Sequence, residues 1–184
     1  TPIHKKNPGL GRATLIGDSL ANSHGATNVH NRLDYCFSEI TKSNARVLAQ
    51  DGATSTDILS QLDSLNNDSA NLIFLSIGGN DVIRDLFYDP FPAKTTYANF
   101  DRLMNDLKSR DNLIVYLAIS PPIGGSERLP ELAKRARQAG ILVVDGMKDM
   151  WNNSKYMSDT IHPNDEGYKL LCLRIKQALQ GFYP

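Results

Sequence analysis

Short apolar runs recur along the chain and are separated by more polar stretches. Most of the runs are continuous rather than alternating, which is typical of parallel strands that are covered on both faces. The predicted strands cover residues 13–16, 46–49, 72–77, 113–119 and 141–144. The pattern therefore predicts a parallel sheet of five strands that lies inside the protein.

The segments between these runs place apolar residues at helical spacing. The predicted helix faces are Val29, Leu33, Phe37 and Ile40; Ile58, Leu62 and Leu65; Phe100, Leu103, Met104 and Leu107; Leu132, Ala133 and Ala136; and Leu171, Ile175, Ala178, Leu179 and Phe182. Gly140 is placed to end the fourth helix, and Asn164 is placed to cap the start of the last one.

Strands and helices alternate throughout, which predicts an α/β protein with a three-layer α/β/α sandwich. No repeat or second domain is visible, so we expect a single domain over residues 13–184. Residues 1–12 are basic and contain Gly and Pro, and they predict an extended tail on the surface.

The composition narrows the possible functions. The 20 basic and 20 acidic residues balance, which argues against a nucleic-acid or anionic-membrane surface as the main partner. No run approaches the roughly 20 apolar residues of a membrane span. Neither a phosphate-binding glycine loop nor a His/Cys set with metal-ligand spacing occurs, so we expect no cofactor and no metal.

The chain starts at Thr1 without a visible export signal; we expect a bacterial periplasmic or secreted protein, with the cytoplasm as the alternative.

Polar residues follow the first three predicted strands. Ser19 comes after the first, Gly52 after the second and Asn80 after the third. Ligands of parallel α/β sheets bind beyond the carboxyl ends of the strands, so we expect these three loops to converge.

Near the end of the chain, Asp159 precedes His162 by three residues. A serine hydroxyl needs a base to accept its proton and a third group to orient that base, and Ser19, His162 and Asp159 supply all three.

Four blocks of the chain carry a family resemblance: Gly17-Asp18-Ser19-Leu20, Asp51-Gly52-Ala53-Thr54-Ser55, Ile77-Gly78-Gly79-Asn80-Asp81, and Asp159-Thr160-Ile161-His162-Pro163. With these blocks in this order, the chain resembles the GDSL (SGNH) hydrolases, whose blocks contribute Ser, Gly, Asn and His. The resemblance implies a flavodoxin-like five-stranded parallel sheet and a serine esterase. Its oxyanion hole would combine the backbone N–H groups of Ser19 and Gly52 with the side-chain amide of Asn80.

Each of these residues also has a plainer interpretation. Ser19 could cap a helix, and Gly52 and Asn80 could only form turns. His24 is a rival base, but no orienting carboxylate is obvious in its own loop. Asp18 is expected to hold the loop around Ser19 by hydrogen bonds. A non-catalytic binding module with the same fold is a further alternative, and under it the complete Ser-His-Asp set would be accidental.

The substrate is less well defined by the sequence. The resemblance implies a small-molecule or acylated lipid ester, as for arylesterases, lysophospholipases or thioesterases, with a carbohydrate O-acetylesterase as the alternative. Phe87, Tyr88 and Phe91 follow Asn80 and are expected to overhang the site, as an acyl channel or as a platform for a sugar ring. The alternative is that this loop only packs on the core.

Cys36 and Cys172 are the two cysteines of the chain. They fall on the first and last predicted helices, which would pack side by side if the strand order is 2-1-3-4-5. A disulfide is then geometrically possible, but buried free thiols that act as small hydrophobic side chains are commoner. We therefore expect free thiols, with the bridge as the alternative.

Overall fold

The sheet of the protein is parallel and has five strands in the part of the chain that is described. The computed structural model describes residues 11–65, 72–125 and 127–182, so nearly all of the predicted tail 1–12 lies outside it. The strands are β1 (Ala13–Gly17), β2 (Arg46–Val47), β3 (Leu72–Ser76), β4 (Leu113–Leu117) and β5 (Leu142–Val144), in the order β2-β1-β3-β4-β5. Every residue of β1 and β3 is buried, which explains why their sequences read as continuous apolar runs.

Two layers of helices cover the sheet and complete the predicted three-layer sandwich. The α-helices in the described ranges are α1 (Leu33–Thr41), α2 (Ser55–Gln61), α3 (Gly79–Phe87), α4 (Ala93–Ser109), α5 (Arg128–Gln138) and α6 (Asp165–Leu179). Helix α1 packs against α6, whereas α4 packs against both α2 and α5. None of these helices is both long and apolar enough to cross a bilayer.

Most of the predicted helix faces are confirmed, and their end signals are confirmed with them. The Asn164 side chain accepts from the backbone of Gly167 at the start of α6, and Gly140 adopts a positive φ of 76° just after α5. Phe182 lies in a turn just after α6 ends, and the predicted placement of Val29 on the first helix is wrong. Val29 is 61% exposed in a separate 3-10 turn, because the extended backbone of Arg32 interrupts the helix before α1 begins.

Cys36 on α1 and Cys172 on α6 form a disulfide, with their Cα atoms 6.0 Å apart. The expectation of two free thiols is therefore wrong. Periodicity places each cysteine on a helix, but it does not show that the two side chains face each other. The strand order brings the first and last helices together on one side of the sheet, and this proximity permits the bridge.

The end of β1 is fixed by a side chain from α2. The Gln61 amide accepts from the Gly17 N–H at 2.9 Å and donates to the Gly17 carbonyl at 3.0 Å, and thus replaces one strand partner. Gly17 has a φ of 137°, and a Cβ there would lie 2.0 Å from the Ser76 carbonyl oxygen. Glycine is therefore required at this position, and the chain leaves β1 in a fixed direction toward Ser19.

Candidate active site

Ser19, His162 and Asp159 form a continuous hydrogen-bonded line. Ser19 Oγ lies 2.8 Å from His162 Nε2, and His162 Nδ1 lies 2.8 Å from Asp159 Oδ2. With the Nδ1 proton donated to the carboxylate, Nε2 is the acceptor for the serine hydroxyl. The His162 side chain is 14% exposed, whereas that of Asp159 is 50% exposed. The three predicted residues are thus brought together in the arrangement of a serine hydrolase triad.

The loop that carries His162 is held by the same carboxylate. Asp159 Oδ1 accepts from the backbone N–H groups of Ile161 at 2.8 Å and of His162 at 2.7 Å. Partial burial raises the pKa of Asp159, but the two backbone hydrogen bonds and the bond from the imidazole lower it by more. The net effect is a lowered pKa of Asp159. Asp159 is therefore an ionised orienting group for His162 near neutral pH.

Helix α6 ties the His162 segment to the Ser19 segment. The Tyr168 hydroxyl donates to the His24 carbonyl at 2.6 Å. Asp165, in the first turn of α6, accepts from the backbone of Thr27 and Asn28 and from the Thr27 hydroxyl. Residues 24–28 lie between Ser19 and α1 along the chain, and Asp165 and Tyr168 follow His162 closely. The contacts between these two stretches therefore fix Ser19 and His162 relative to each other.

Asp18, directly before Ser19, is almost completely buried, with 3% exposure. Its Oδ1 accepts from the Leu20 N–H at 3.1 Å, so the carboxyl spans the serine and holds the loop as expected. Burial raises the pKa of Asp18 to about 7. The residue therefore titrates close to the neutral range.

Asn80 lies in the first turn of α3 and faces the same pocket as Ser19. Its side-chain amide donates to the Ala53 carbonyl at 3.0 Å, which orients the amide and uses one of its two N–H bonds. The next residue, Asp81, is fully buried and accepts from the Ser55 backbone, the Ser55 hydroxyl and the Thr96 hydroxyl. This network fixes the start of α3, and Asn80 with it, against α2 and α4.

Gly52 lies in the loop between β2 and α2, in a left-handed conformation with a φ of 76°. No atom lies within 4 Å of where its Cβ would be, so the backbone is open on that side. Gly52 is not among the residues that line the pocket beside Ser19. Its predicted role as an oxyanion donor stays a prediction.

Beside Ser19 lies a pocket with about 360 Å³ of space, part of which is open to solvent. Its polar end contains Asp18, Ser19, Asn80 and His162. Its other walls are largely apolar and include Leu20, Ile83, Ile119, Ile123, Trp151 and Ile161. The apolar walls come from α3, from the chain after β4 and from the segment that leads to His162, so an apolar group placed on Ser19 would be enclosed on several sides.

The structure does not bring the three predicted aromatic residues into this pocket. Phe87 and Tyr88 are 66% and 79% exposed at the end of α3, and Phe91 is buried. The Phe91 N–H donates to Asp85, and its carbonyl accepts from Arg128. Phe87, Tyr88 and Phe91 do not line this pocket, because the chain between Asn80 and Phe87 is helical, and their role in substrate binding stays a prediction. The helix carries the aromatic residues away from Ser19 and leaves Ile83 at the pocket.

Sequence reasoning missed a second His–Asp pair at the site. His24 Nδ1 lies 2.8 Å from Asp51 Oδ2, and Asn22 donates to the other oxygen of Asp51 at 3.0 Å. The ring of His24 packs against that of His162, with centroids 4.3 Å apart. His24 thus does have an orienting carboxylate, contrary to expectation, but it comes from the loop after β2. Ser19 Oγ nevertheless has His162 as its imidazole partner.

Known structures share this fold over nearly the whole chain. A member of the lipolytic protein G-D-S-L family from Veillonella parvula DSM 2008 is similar with a TM-score of 0.74 at 16% identity, over 92% of this chain and 98% of that one. The esterase EstA from Pseudoalteromonas sp. is similar with a TM-score of 0.72 at 19% identity, over 92% and 96%. The acetyl xylan esterase AlAXEase is similar with a TM-score of 0.74 at 15% identity, over 92% and 100%.

A comparison of the sequence with protein-family models identifies the family of the chain. Among curated protein sequences, none matches the chain significantly. The model of the GDSL-like Lipase/Acylhydrolase family, however, matches residues 15–170. That match includes the end of β1 with Ser19 after it, the start of α3 with Asn80, and the loop with His162. The chain therefore belongs to the GDSL-like lipase/acylhydrolase family.

Proposed function

We propose that the protein is a serine esterase that hydrolyses carboxylic esters through an acyl-enzyme intermediate. The observation that carries this proposal is the hydrogen-bonded line from Ser19 through His162 to Asp159, at one end of a pocket with apolar walls. Membership of an acylhydrolase family supports the same reaction class.

In the acylation step, Ser19 Oγ attacks the ester carbonyl and its proton passes to His162 Nε2. The negative charge that develops on the carbonyl oxygen is stabilised by the backbone N–H groups of Ser19 and Gly52 and by the second N–H of the Asn80 amide. Asp159 stabilises the imidazolium, which then protonates the leaving alcohol. His162 next removes a proton from water, and the resulting attack releases the acid and restores Ser19.

The pocket favours small apolar acyl groups. Ile83, Ile119 and Trp151 offer apolar surface, and each methylene that they remove from water contributes about 0.8 kcal/mol to binding. Because the pocket is partly open to solvent, these walls cover only the part of the acyl group nearest to Ser19. We therefore propose simple alkyl and aryl esters of short-chain acids as substrates, and thioesters of the same acids as a second class that the same chemistry accepts.

The disulfide bears on where the protein works. Disulfides persist in oxidising compartments and are rare in the cytosol. The Cys36–Cys172 bridge therefore supports our proposal that the protein is periplasmic or secreted.

The test is a panel of p-nitrophenyl esters of increasing acyl length, run beside acetylated sugars. We expect activity on short-chain aryl esters, its loss in Ser19→Ala, and an unchanged rate in Ser60→Ala as a matched serine control on the exposed side of α2. A fluorophosphonate should form one adduct, located on Ser19 by mass spectrometry. Near-normal turnover in Ser19→Ala, or an adduct on another residue, would contradict the proposal. A clear preference for acetylated sugars would instead assign the protein to the carbohydrate esterases.

A further inference from the structure

The second imidazole of the site creates a set of donor atoms that hydrolysis does not use. One donor atom each from His24, His162 and Asp159 lies within 4.8 Å of the other two. His24 comes from the loop after β1, and the other two come from the loop before α6. Two imidazole nitrogens and one carboxylate oxygen are typical ligands of zinc in proteins.

The environment of His24 is that of a metal ligand. Its Nδ1 is paired with Asp51 at 2.8 Å, and Asn22 holds the far oxygen of Asp51. Histidines that bind metals almost always donate their other ring N–H to a carboxylate or carbonyl, which fixes the tautomer. Here the Asp51 carboxylate keeps the proton on Nδ1, so Nε2 of His24 carries the free lone pair.

The donor atoms are close to the required geometry. Zinc bonds of about 2.0–2.2 Å place tetrahedral ligand atoms roughly 3.4 Å apart, so the set must contract by about 1.4 Å at most. The side chains of His24 and Asp159 are 49% and 50% exposed. An ion can therefore reach both side chains from solvent, and a water molecule can reach the fourth position.

We infer that His24, His162 and Asp159 bind Zn²⁺ and that this binding inhibits the enzyme; the inhibition rests on the proposed function. If zinc binds Nε2 of His162, the lone pair that accepts the Ser19 proton is occupied. If it binds Nδ1 instead, the one remaining ring proton resides on Nε2, which then has no lone pair for that proton. In both cases Ser19 loses its base, and zinc and catalysis exclude each other.

The donor set also predicts selectivity. Mg²⁺ and Ca²⁺ prefer sites composed of oxygen atoms, and two of the three donors here are nitrogens. Zn²⁺ should therefore inhibit at concentrations at which Mg²⁺ has no effect, and EDTA should restore the activity.

Binding is measured by titrating ZnCl₂ into the Ser19→Ala protein by calorimetry, which does not depend on hydrolysis. His24→Phe in this background keeps a ring against His162 but removes the nitrogens, and it should abolish the site. Asp51→Asn should weaken zinc binding by about 10–100-fold, the usual loss when a carboxylate that orients a ligand is removed. His30→Phe is the matched control, because His30 packs on Tyr35 instead, and it should bind zinc normally.

Activity measurements complete the test. In protein with Ser19 intact, the Zn²⁺ concentration for half-inhibition should rise at least tenfold in His24→Phe and stay unchanged in His30→Phe. Equal zinc affinity with and without His24, or no stoichiometric zinc binding at all, would overturn the inference. Zinc binding that depends on His24 in a protein without esterase activity would support the metal site and refute the proposed function alone.

Discussion

Removing the Cys36–Cys172 bridge should lower the stability of the protein considerably. The bridge joins residues 136 positions apart, and the chain-entropy relation for a loop of this length gives about 5 kcal/mol of stabilisation. Measured disulfide contributions are commonly about 2–4 kcal/mol, so we expect a loss of roughly 3–5 kcal/mol in Cys36→Ala/Cys172→Ala. For a domain of this size that corresponds to a decrease in Tm of roughly 6–20 °C.

The assay is thermal and urea unfolding of the wild type and the double variant, each with and without a reductant. The reductant should lower the wild-type Tm to that of the variant and leave the variant unchanged. Turnover at 25 °C should change little, because Tyr168 and Asp165 still join α6 to the Ser19 segment. Two free thiols in the denatured, non-reduced wild type would refute the bridge. A reduced wild type as stable as the oxidised one would refute the loop-entropy argument.

Three further predictions concern the site. Asn80→Ala should lower kcat by about 10²–10³-fold with a smaller change in KM, the usual loss of one oxyanion donor; a rise in KM alone would show that Asn80 binds substrate instead. His162→Ala should abolish hydrolysis and His24→Ala should change it little in metal-free buffer; the opposite order would make His24 the base. Asp18→Asn should gain stability relative to the wild type as pH rises from 4 to 8. The carboxyl of Asp18 ionises near about pH 3.9 in the unfolded chain but only near pH 7 in the folded protein. Above pH 7 this difference lowers the free energy of unfolding of the wild type by about 4 kcal/mol. Parallel stability curves in urea over this pH range would show that Asp18 ionises normally.

The sequence predicts the sheet well because burial on both faces leaves a simple signal. The strands before Ser19 and Asn80 are buried at every position, and all but a few of their residues are apolar, so their runs are nearly continuous. Helix α3 has no such signal, because it is short and only Asp81 and Val82 in it are buried. Because the sequence does not signal this helix, it does not show that Phe87 and Tyr88 lie outside the pocket.

The hydrogen-bonded line of Ser19, His162 and Asp159 was predictable for a different reason. Asp159 and His162 are three residues apart, and Ser19 closely follows a strand, so each has a local signal. The His24–Asp51 pair has none, because its members come from two loops whose proximity depends on β1 and β2 being neighbours in the sheet. A contact that depends only on the order of the strands in the sheet can be recognised only in the folded structure.

The Ser19–His162 hydrogen bond spans 143 positions of the chain, which has a consequence for the order of events during synthesis. The five strands of the described residues end by Val144, before the ribosome has made Asp159 or His162. On the proposed mechanism, a chain that has completed its sheet therefore still has an inert Ser19. Hydrolytic activity would begin only when the last helix docks, and its appearance in refolding experiments would time that final step.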